Sequence, residues 1–421
     1  VRSFRPLIAP LRPLPKYGNY IYEYPDNMAG EGPECGYANV LSSLSGQRRI
    51  MTNVGETAHS MDYIKKGGIG KAYQSFLDEL VVNKALAAAQ GWNSFIVSAV
   101  NLIHGEANCN DPAYKAQVVQ FLIDLNTDVK AITGQSEDII MLLSQQCALN
   151  ATTLGRTIST VMCQELAAEQ PTKFYVAPRY QMFNVDQDGP AHYRYHFDGV
   201  ANRRNGELMG KVKDRGDRGL KTTLKPLSAT QSGAVIRIEF EVPVPPLQWA
   251  NTLPAVHPLV AEWINASGFE VEDNAGLITI NSVRILGKAV EITCNSTPGA
   301  GGRVSYAMYQ DAINYNTSID LGRHGFLCDS DNFTSYSAQS IVCNVTNGSA
   351  IITCVTPGDF ADRGQFELVS GSGLLSNSHV TLKPDGDSII LGHDWTGSTG
   401  TATLFFKNDH RNYSIQFTLT L

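Results

Sequence analysis

The chain lacks the features that would place it in several large classes. It has no basic block: 33 Lys and Arg stand against 40 Asp and Glu, a net charge of −7. A nucleic-acid binder concentrates basic residues on one face, so nucleic acid is not an expected partner. No apolar run approaches the roughly 18 residues of a membrane-spanning helix. The longest candidate, Phe95 to Ile103, is interrupted by Ser98 and Asn101 and has the length of a buried strand, so membrane insertion is not expected. The eight cysteines contain no Cys-x-x-Cys pair, which excludes a zinc ribbon. Several of them sit in apolar segments, where a free thiol behaves as a small hydrophobe, and a disulfide framework is not expected. Residues 1–10 lack the apolar core of a signal peptide and the first residue is Val1, so the chain reads as processed or truncated at its start.

What is present is ordinary apolar content and many turn formers. Hydrophobic residues make up 43% and charged residues only 17%, with 37 glycines. Such a composition can bury normal cores and is not that of a disordered chain. At about 150 residues per domain, 421 residues imply two to four domains.

The periodicity of the chain changes near residue 216. Before it, helices and strands alternate. Residues 36–44, 70–90, 113–132, 154–168 and 198–212 read as helices, several with apolar side chains at helical spacing. Residues 49–54, 95–104, 139–144 and 174–177 read as strands. Strands separated by helices of this length imply right-handed βαβ units and a parallel sheet covered on both faces. Beyond 216 the pattern becomes short alternating strands, as in VIRIEFEV at 235–242 and SIILG at 388–392, separated by turns. Boundaries fall near 216 and 334.

In a doubly wound sheet, ligands bind at the carboxyl ends of the strands. Three segments qualify: Gly55-Glu56-Thr57, the His104–Asn108 loop and His192–Asp198. At His104-Gly105-Glu106, polar groups follow an almost wholly apolar strand. They read either as a solvated loop or as an acid, Glu106, that orients a histidine, beside His104 as a donor to a developing oxyanion. His192 and His196 stand four apart, the spacing of two metal ligands on a helix. The alternation of Tyr193, Tyr195 and Phe197 is that of an extended segment, however, and no HExxH glutamate accompanies them. His196 therefore reads as a general base, with a core or surface histidine as the alternative. The Gly299–Gly302 run lies between strands and is no phosphate cradle. Asp329 with Asp331, and Asp385 with Asp387, supply too few carboxylates for calcium and read as turns.

The ordered segments GEGPECGYANVLSSL (30–44), IMTNVGETAHS (50–60), FIVSAVNLIHGEAN (95–108), VKAITGQSEDIIMLLSQQ (129–146) and YHFDGVANRRNGELMGKV (195–212) together resemble an SGNH hydrolase. They are similar to the carbohydrate-esterase-like SGNH domains of bacteriophage tail spikes and tail fibres. The resemblance covers about residues 20–215 and extends more loosely to GFLCDSD at 325–331. It implies an α/β, flavodoxin-like three-layer parallel-sheet domain over 1–215, followed by β-sandwich domains over 216–333 and 334–421. Gly55 matches the glycine whose backbone N–H helps form the oxyanion hole. His104 takes the place of an Asn or Gln side-chain donor. Glu106 matches a glutamate that serves as triad acid in some relatives, and His196 matches the general base.

Two departures accompany the match. Many relatives carry an Asp three residues before the base; here that residue is Tyr193, which shifts the orienting role to Glu106. The nucleophilic serine of a Gly-Asp-Ser or Gly-Gln-Ser turn is missing from the sequence, and Ser42, Ser43, Ser45 and Ser60 lie in the wrong setting. The resemblance implies a serine-dependent O-acetylesterase acting on bacterial surface polysaccharide, with the serine outside this chain and with no cofactor or metal. It further implies an extracellular virion location in a phage tail, a homotrimer, and attachment to other tail proteins. The alternative is a non-catalytic receptor-binding or structural tail protein on a degenerate scaffold.

Overall fold

The computed structural model describes residues 33–45, 50–56, 59–145, 157–178, 199–250, 266–308 and 325–331. Beyond 333 it describes the segments 334–344, 349–353, 365–370, 380–382, 388–392, 399–409 and 417–421. The chain forms two compact units. One comprises Val1–Ala250, Ala255–Ser330 and Asn412–Leu421; the other comprises Asn251–Pro254 and Asp331–Arg411.

The first part of unit one is mixed α/β. Its elements are α1 (Pro33–Ser45), α2 (Met61–Ile64), α3 (Ala72–Ala89), β1 (Ala99–Ile103), α4 (Tyr114–Thr133), β2 (Ile140–Gln145), α5 (Ile158–Glu169), β3 (Phe174–Pro178) and α6 (Gly199–Asp217). The strands form a parallel sheet in the order β1-β2-β3. Successive side chains on a strand point to opposite faces, so a strand covered on both sides is apolar throughout. Leu142, Tyr175 and Ala177 pack toward Tyr37 and Leu41 of α1 and Leu208, Met209 and Val212 of α6. Met141, Leu143, Phe174 and Val176 pack the other way, against α3, α4 and α5.

Helix α4 shows why the sequence folds this way. Tyr114, Val118, Phe121, Leu122, Leu125 and Val129 recur at helical spacing and all are buried, and each such side chain contributes about 1.5–3 kcal/mol on burial. Gly134 ends the helix in the left-handed conformation, φ 80°. Helix α6 is buried all along residues 205–215, Lys211, Lys213 and Arg215 included. Buried charges need partners. Lys213 pairs with Asp217, and Arg215 Nε donates to the Lys221 carbonyl at 2.8 Å. Gly206 and Gly210, one turn apart, face α1 at close range. A Cβ on Gly206 would lie 1.7 Å from the Pro33 carbonyl oxygen, and one on Gly210 3.0 Å from that of Tyr37.

The strand expected over 49–54 is not formed. Ile50 makes an isolated bridge and residues 51–56 are irregular, with Thr52 Oγ1 donating to Glu79 Oε2 of α3 at 3.3 Å. The strand expected from Phe95 begins at Ala99. Of the helix expected from Leu154, the described part starts at Ile158, where the Thr157 side chain accepts from the Thr160 N–H.

The second part of unit one is antiparallel. Its strands are β4 (Lys225–Ser232), β5 (Val235–Glu241), β6 (Gln248–Trp249), β7 (Phe269–Asp273), β8 (Gly276–Ile278), β9 (Ile280–Leu286), β10 (Ala289–Cys294), β11 (Arg303–Tyr306) and β12 (Leu327–Cys328). A four-stranded sheet, β4-β5-β10-β9, shares one core with the sheet containing β11, β7 and β8. Ile236, Ile238, Val290 and Ile292 of the first meet Phe269, Val271, Val304 and Tyr306 of the second. Asp329, expected in a turn, is fully buried. Its Oδ2 accepts the Val244 N–H at 2.9 Å and its carbonyl accepts from Gln248 Nε2 at 2.7 Å.

Unit two holds β13 (Thr334–Asn344), β14 (Ser349–Thr353), β15 (Gln365–Ser370), β16 (Val380–Leu382), β17 (Ser388–Gly392) and β18 (Thr399–Asp409). They form two antiparallel sheets, β13-β18-β15 and β14-β17-β16. The last strand, β19 (Phe417–Thr420), was expected with these but pairs instead with β11 in unit one. There, Gln164 of α5 grips it from the α/β side. Thr418 N donates to Gln164 Oε1 at 3.1 Å, and Gln164 Nε2 donates to the Thr418 carbonyl at 3.4 Å.

Candidate active site

The carboxyl end of β1 leads into the loop that the sequence singles out. The chain leaves the sheet at Ile103, presents His104 and turns at the buried Gly105, whose φ of 132° strains any residue with a Cβ. Glu106, half-buried, opens the turn that follows. Asn108 then closes the loop in both directions: its Nδ2 donates to Asp111 Oδ2 at 2.8 Å, and its Oδ1 accepts the N–H of Met61 at 2.8 Å. Asp111 in turn takes the Ala113 N–H at 2.8 Å, just ahead of α4, which sets Tyr114 as the first residue of that helix.

His104 is held at both ring nitrogens. Nε2 lies 2.8 Å from the carbonyl oxygen of His59, and Nδ1 lies 2.7 Å from the Tyr114 hydroxyl. A carbonyl only accepts, so Nε2 carries the proton. In the neutral ring Nδ1 is therefore an acceptor, and Tyr114 O–H donates to it. The sequence expects His104 to be a side-chain donor to an oxyanion. In this arrangement its N–H is already engaged with the His59 carbonyl, so donation to a substrate requires that bond to open.

Gly55 is exposed, and its N–H donates to the Asn53 side-chain oxygen at 3.1 Å. The amide expected in the oxyanion hole is thus capped by a neighbour two residues back, a local Asx-type bond. Beyond it, Glu56 Oε1 accepts the Lys71 N–H at 2.9 Å, while its Oε2 is buried without a hydrogen-bond partner. His59 follows, its ring stacked on that of Tyr63 with centroids 3.6 Å apart and planes 14° from parallel.

Behind these loops a polar network braces α3 against α4. Tyr73 O–H donates to Asp128 Oδ2 at 2.8 Å and Lys66 Nζ to Asp128 Oδ1 at 2.9 Å. Burial pushes the Tyr73 hydroxyl up from its ordinary value, and the Asp128 contact adds to the shift. Burial would also lift the Asp128 carboxyl, but the hydrogen bonds from Lys66 and Tyr73 outweigh it and hold the group below its usual range.

Of the four residues the sequence proposes, the structure places His104 and Glu106 on the loop after β1, which is tied to His59 and Met61 by the His104–His59 and Asn108–Met61 bonds, and Gly55 in the irregular segment 51–56. His196, with His192, lies outside the described residues. Tyr114, His59, Tyr63 and Asn108 were not anticipated as site residues. Tyr114 reads as an ordinary core position of α4, whereas His59 and Asn108 lay inside quoted motifs, at 50–60 and 95–108, without being singled out. Among the described residues no three His, Cys, Asp or Glu side chains converge as metal ligands.

No family model and no curated protein matches the sequence. Among solved structures, the chain is similar to a carbohydrate acetylesterase from Xanthomonas citri, with 13% sequence identity and a TM-score of 0.41. The likeness covers 67% of this chain, which spans 60% of the length of that one.

Proposed function

We propose that this chain is an SGNH-type ester hydrolase that removes O-acetyl groups from bacterial surface polysaccharide. One observation carries the reading. The segment His59–Met61 and the His104–Asn108 loop, distant in sequence, are hydrogen-bonded together at the carboxyl edge of a parallel sheet, where open α/β sheets bind ligands. In this reading His196 acts as general base and then acid, Glu106 orients it, and Gly55 N–H receives the charge that develops on the acyl oxygen. His104 holds the backbone at His59. The serine that forms the acyl-enzyme comes from outside the 421 residues, and neither metal nor organic cofactor takes part. The two four-stranded sheets sharing one core, and the paired sheets of unit two, read as β-sandwiches. The setting proposed is a phage tail spike or fibre: an extracellular, virion-borne homotrimer attached to other tail proteins.

Acetate release from O-acetylated polysaccharide by the complete protein tests the reading. Loss of release in His196→Ala supports it, and unchanged release in that variant sinks it.

A second reading has its own support, because both groups that the oxyanion role requires are already engaged, Gly55 with Asn53 and His104 with His59. A receptor-binding or structural tail protein on a degenerate scaffold would keep such a closed arrangement. Fluorophosphonate labelling of the complete protein separates the two: a labelled serine is required by the first reading and excluded by the second.

A further inference from the structure

We propose that Ser144 and Asn205 are positioning residues, a buried polar pair that sets the start of α6 against the loop carrying His104 and Glu106. The inference rests on the esterase reading for what α6 carries, because the general base His196 stands three residues ahead of Gly199, where the helix begins. The pair itself stands on geometry. Ser144 lies near the carboxyl end of the central strand β2, in register with Ile103 of β1 on one side and Ala177 of β3 on the other. Ile103 is the residue before His104. The Ser144 hydroxyl donates to Asn205 Oδ1, in the second turn of α6, at 3.2 Å. One bond therefore ties the helix to the rung of the sheet from which the His104–Glu106 loop departs.

Packing gives no reason for this pair. Ser144 is 1% exposed and Asn205 0%. The core on their side of the sheet is built from Leu142, Tyr175 and Ala177 of the strands and Leu208, Met209 and Val212 of α6, where apolar side chains would fit as well. Asn205 Nδ2 is buried without a hydrogen-bond partner. An unpaired buried amide group is costly, and replacing both members of such a pair by apolar groups of similar shape is close to neutral or stabilising. Asparagine is also a weak helix former inside a helix. Its neighbour Gly206 is accounted for by the close approach to Pro33, but neither packing nor propensity accounts for Asn205. What the pair supplies is direction. Apolar contact is non-directional and lets a helix settle at several offsets along a sheet, whereas a hydrogen bond holds only within a narrow range of distance and angle. A pair kept at a cost to stability, at the one point that links α6 to the rung of Ile103, serves the placement of what those two elements carry.

The experiment compares the complete protein with its Ser144→Ala/Asn205→Leu double variant, in which the pair becomes apolar. Ser144→Ala alone, the smaller change, gives the same readouts if the double variant does not fold. Three quantities are read: kcat and KM for 4-nitrophenyl acetate, the thermal midpoint, and the His196 ring resonances. A fall in kcat of about ten- to a hundredfold is expected, with KM within about threefold of wild type, because misplaced groups cost rate more than binding. The midpoint of the double variant is expected at or above that of wild type. The His196 resonances are expected to move, while those of Tyr73, in the core on the opposite face of the sheet, stay in place. Wild-type kcat, unmoved His196 resonances or a lowered midpoint in the double variant each overturn the positioning role; the last would make the pair an ordinary stabilising contact. Where the wild type itself hydrolyses no ester, the resonances and the midpoint decide: the expected result in both keeps the positioning role while the esterase reading falls. Turnover that is lost in His196→Ala but unchanged in the double variant keeps the esterase reading and overturns the positioning role.

Discussion

Replacing Tyr114 by Phe isolates one hydrogen bond in the candidate site. The ring keeps its place: Tyr114 is 1% exposed and packs in the cluster with Val118, Phe121 and Leu122. The O–H that reaches His104 Nδ1 at 2.7 Å is lost. With the phenyl ring sealing that side, water has poor access to the orphaned nitrogen. The penalty for an unsatisfied buried acceptor, about 1–3 kcal/mol, therefore applies in its lower half because His104 itself is half-buried. A loss of about 1–2 kcal/mol is expected. For a unit of this size that corresponds to a midpoint about 1–3 °C lower in a thermal melt.

The cycle through His104→Ala and the double variant separates the pair from its surroundings, with a coupling of about 1 kcal/mol expected between the two positions. Imidazole 15N shifts supply a second readout: wild-type His104 should be the Nε2–H tautomer. A coupling within about 0.3 kcal/mol of zero would refute the reasoning. So would the Nδ1–H tautomer, since the His59 carbonyl would then have no donor.

Three further outcomes are expected. Gly206→Ala brings a methyl 1.7 Å from the Pro33 oxygen, so α1 must move; a loss of about 1–3 kcal/mol is expected in urea titration, and a wild-type midpoint would argue against the close α1–α6 crossing. For Asp128, whose carboxyl is held below its ordinary range by the hydrogen bonds from Lys66 and Tyr73, stability is present above the unfolded-state value and is lost as pH falls through the lower folded-state value. Asp128→Asn should therefore melt earlier than wild type at neutral pH, by about 1 kcal/mol, and the gap should close as pH drops below 4; a gap independent of pH would contradict this. Gln164→Leu removes both hydrogen bonds to Thr418, and faster hydrogen exchange at the Thr418 amide is the expected sign, with unchanged exchange counting against the contact.

Local pattern carried much of the fold. The spacing of Val118, Leu122, Leu125 and Val129 revealed α4, and the strand read over Ser388–Gly392 has those bounds in the structure. It misled where an apolar segment found a side chain in place of a strand. Val97 reads as strand, yet its N–H and carbonyl are met by the carboxamide of Gln135, at 2.8 and 3.0 Å, and the ladder starts two residues later. Residues 51–54 have strand letters but no ladder. Partner choice was the least legible. Nothing in the alternation of the last residues says that β19 joins β11, because that pairing spans more than a hundred residues. The site followed the same rule. The motif residues at Gly55, His104 and Glu106 stood out as polar groups after apolar runs, whereas Tyr114 carries a helix-core signature that hides its hydroxyl's role.

The return of β19 to unit one has a consequence for the order in which the protein is made. A ribosome emits β11 first, then all of residues 331–411, and only afterwards the strand that flanks β11 and meets Gln164. Until then the sheet of β11, β7 and β8 has an open edge, which is a template for stray pairing. Unit two therefore emerges while its host is unfinished, and any delay in its own folding prolongs the time for which that edge stands uncovered.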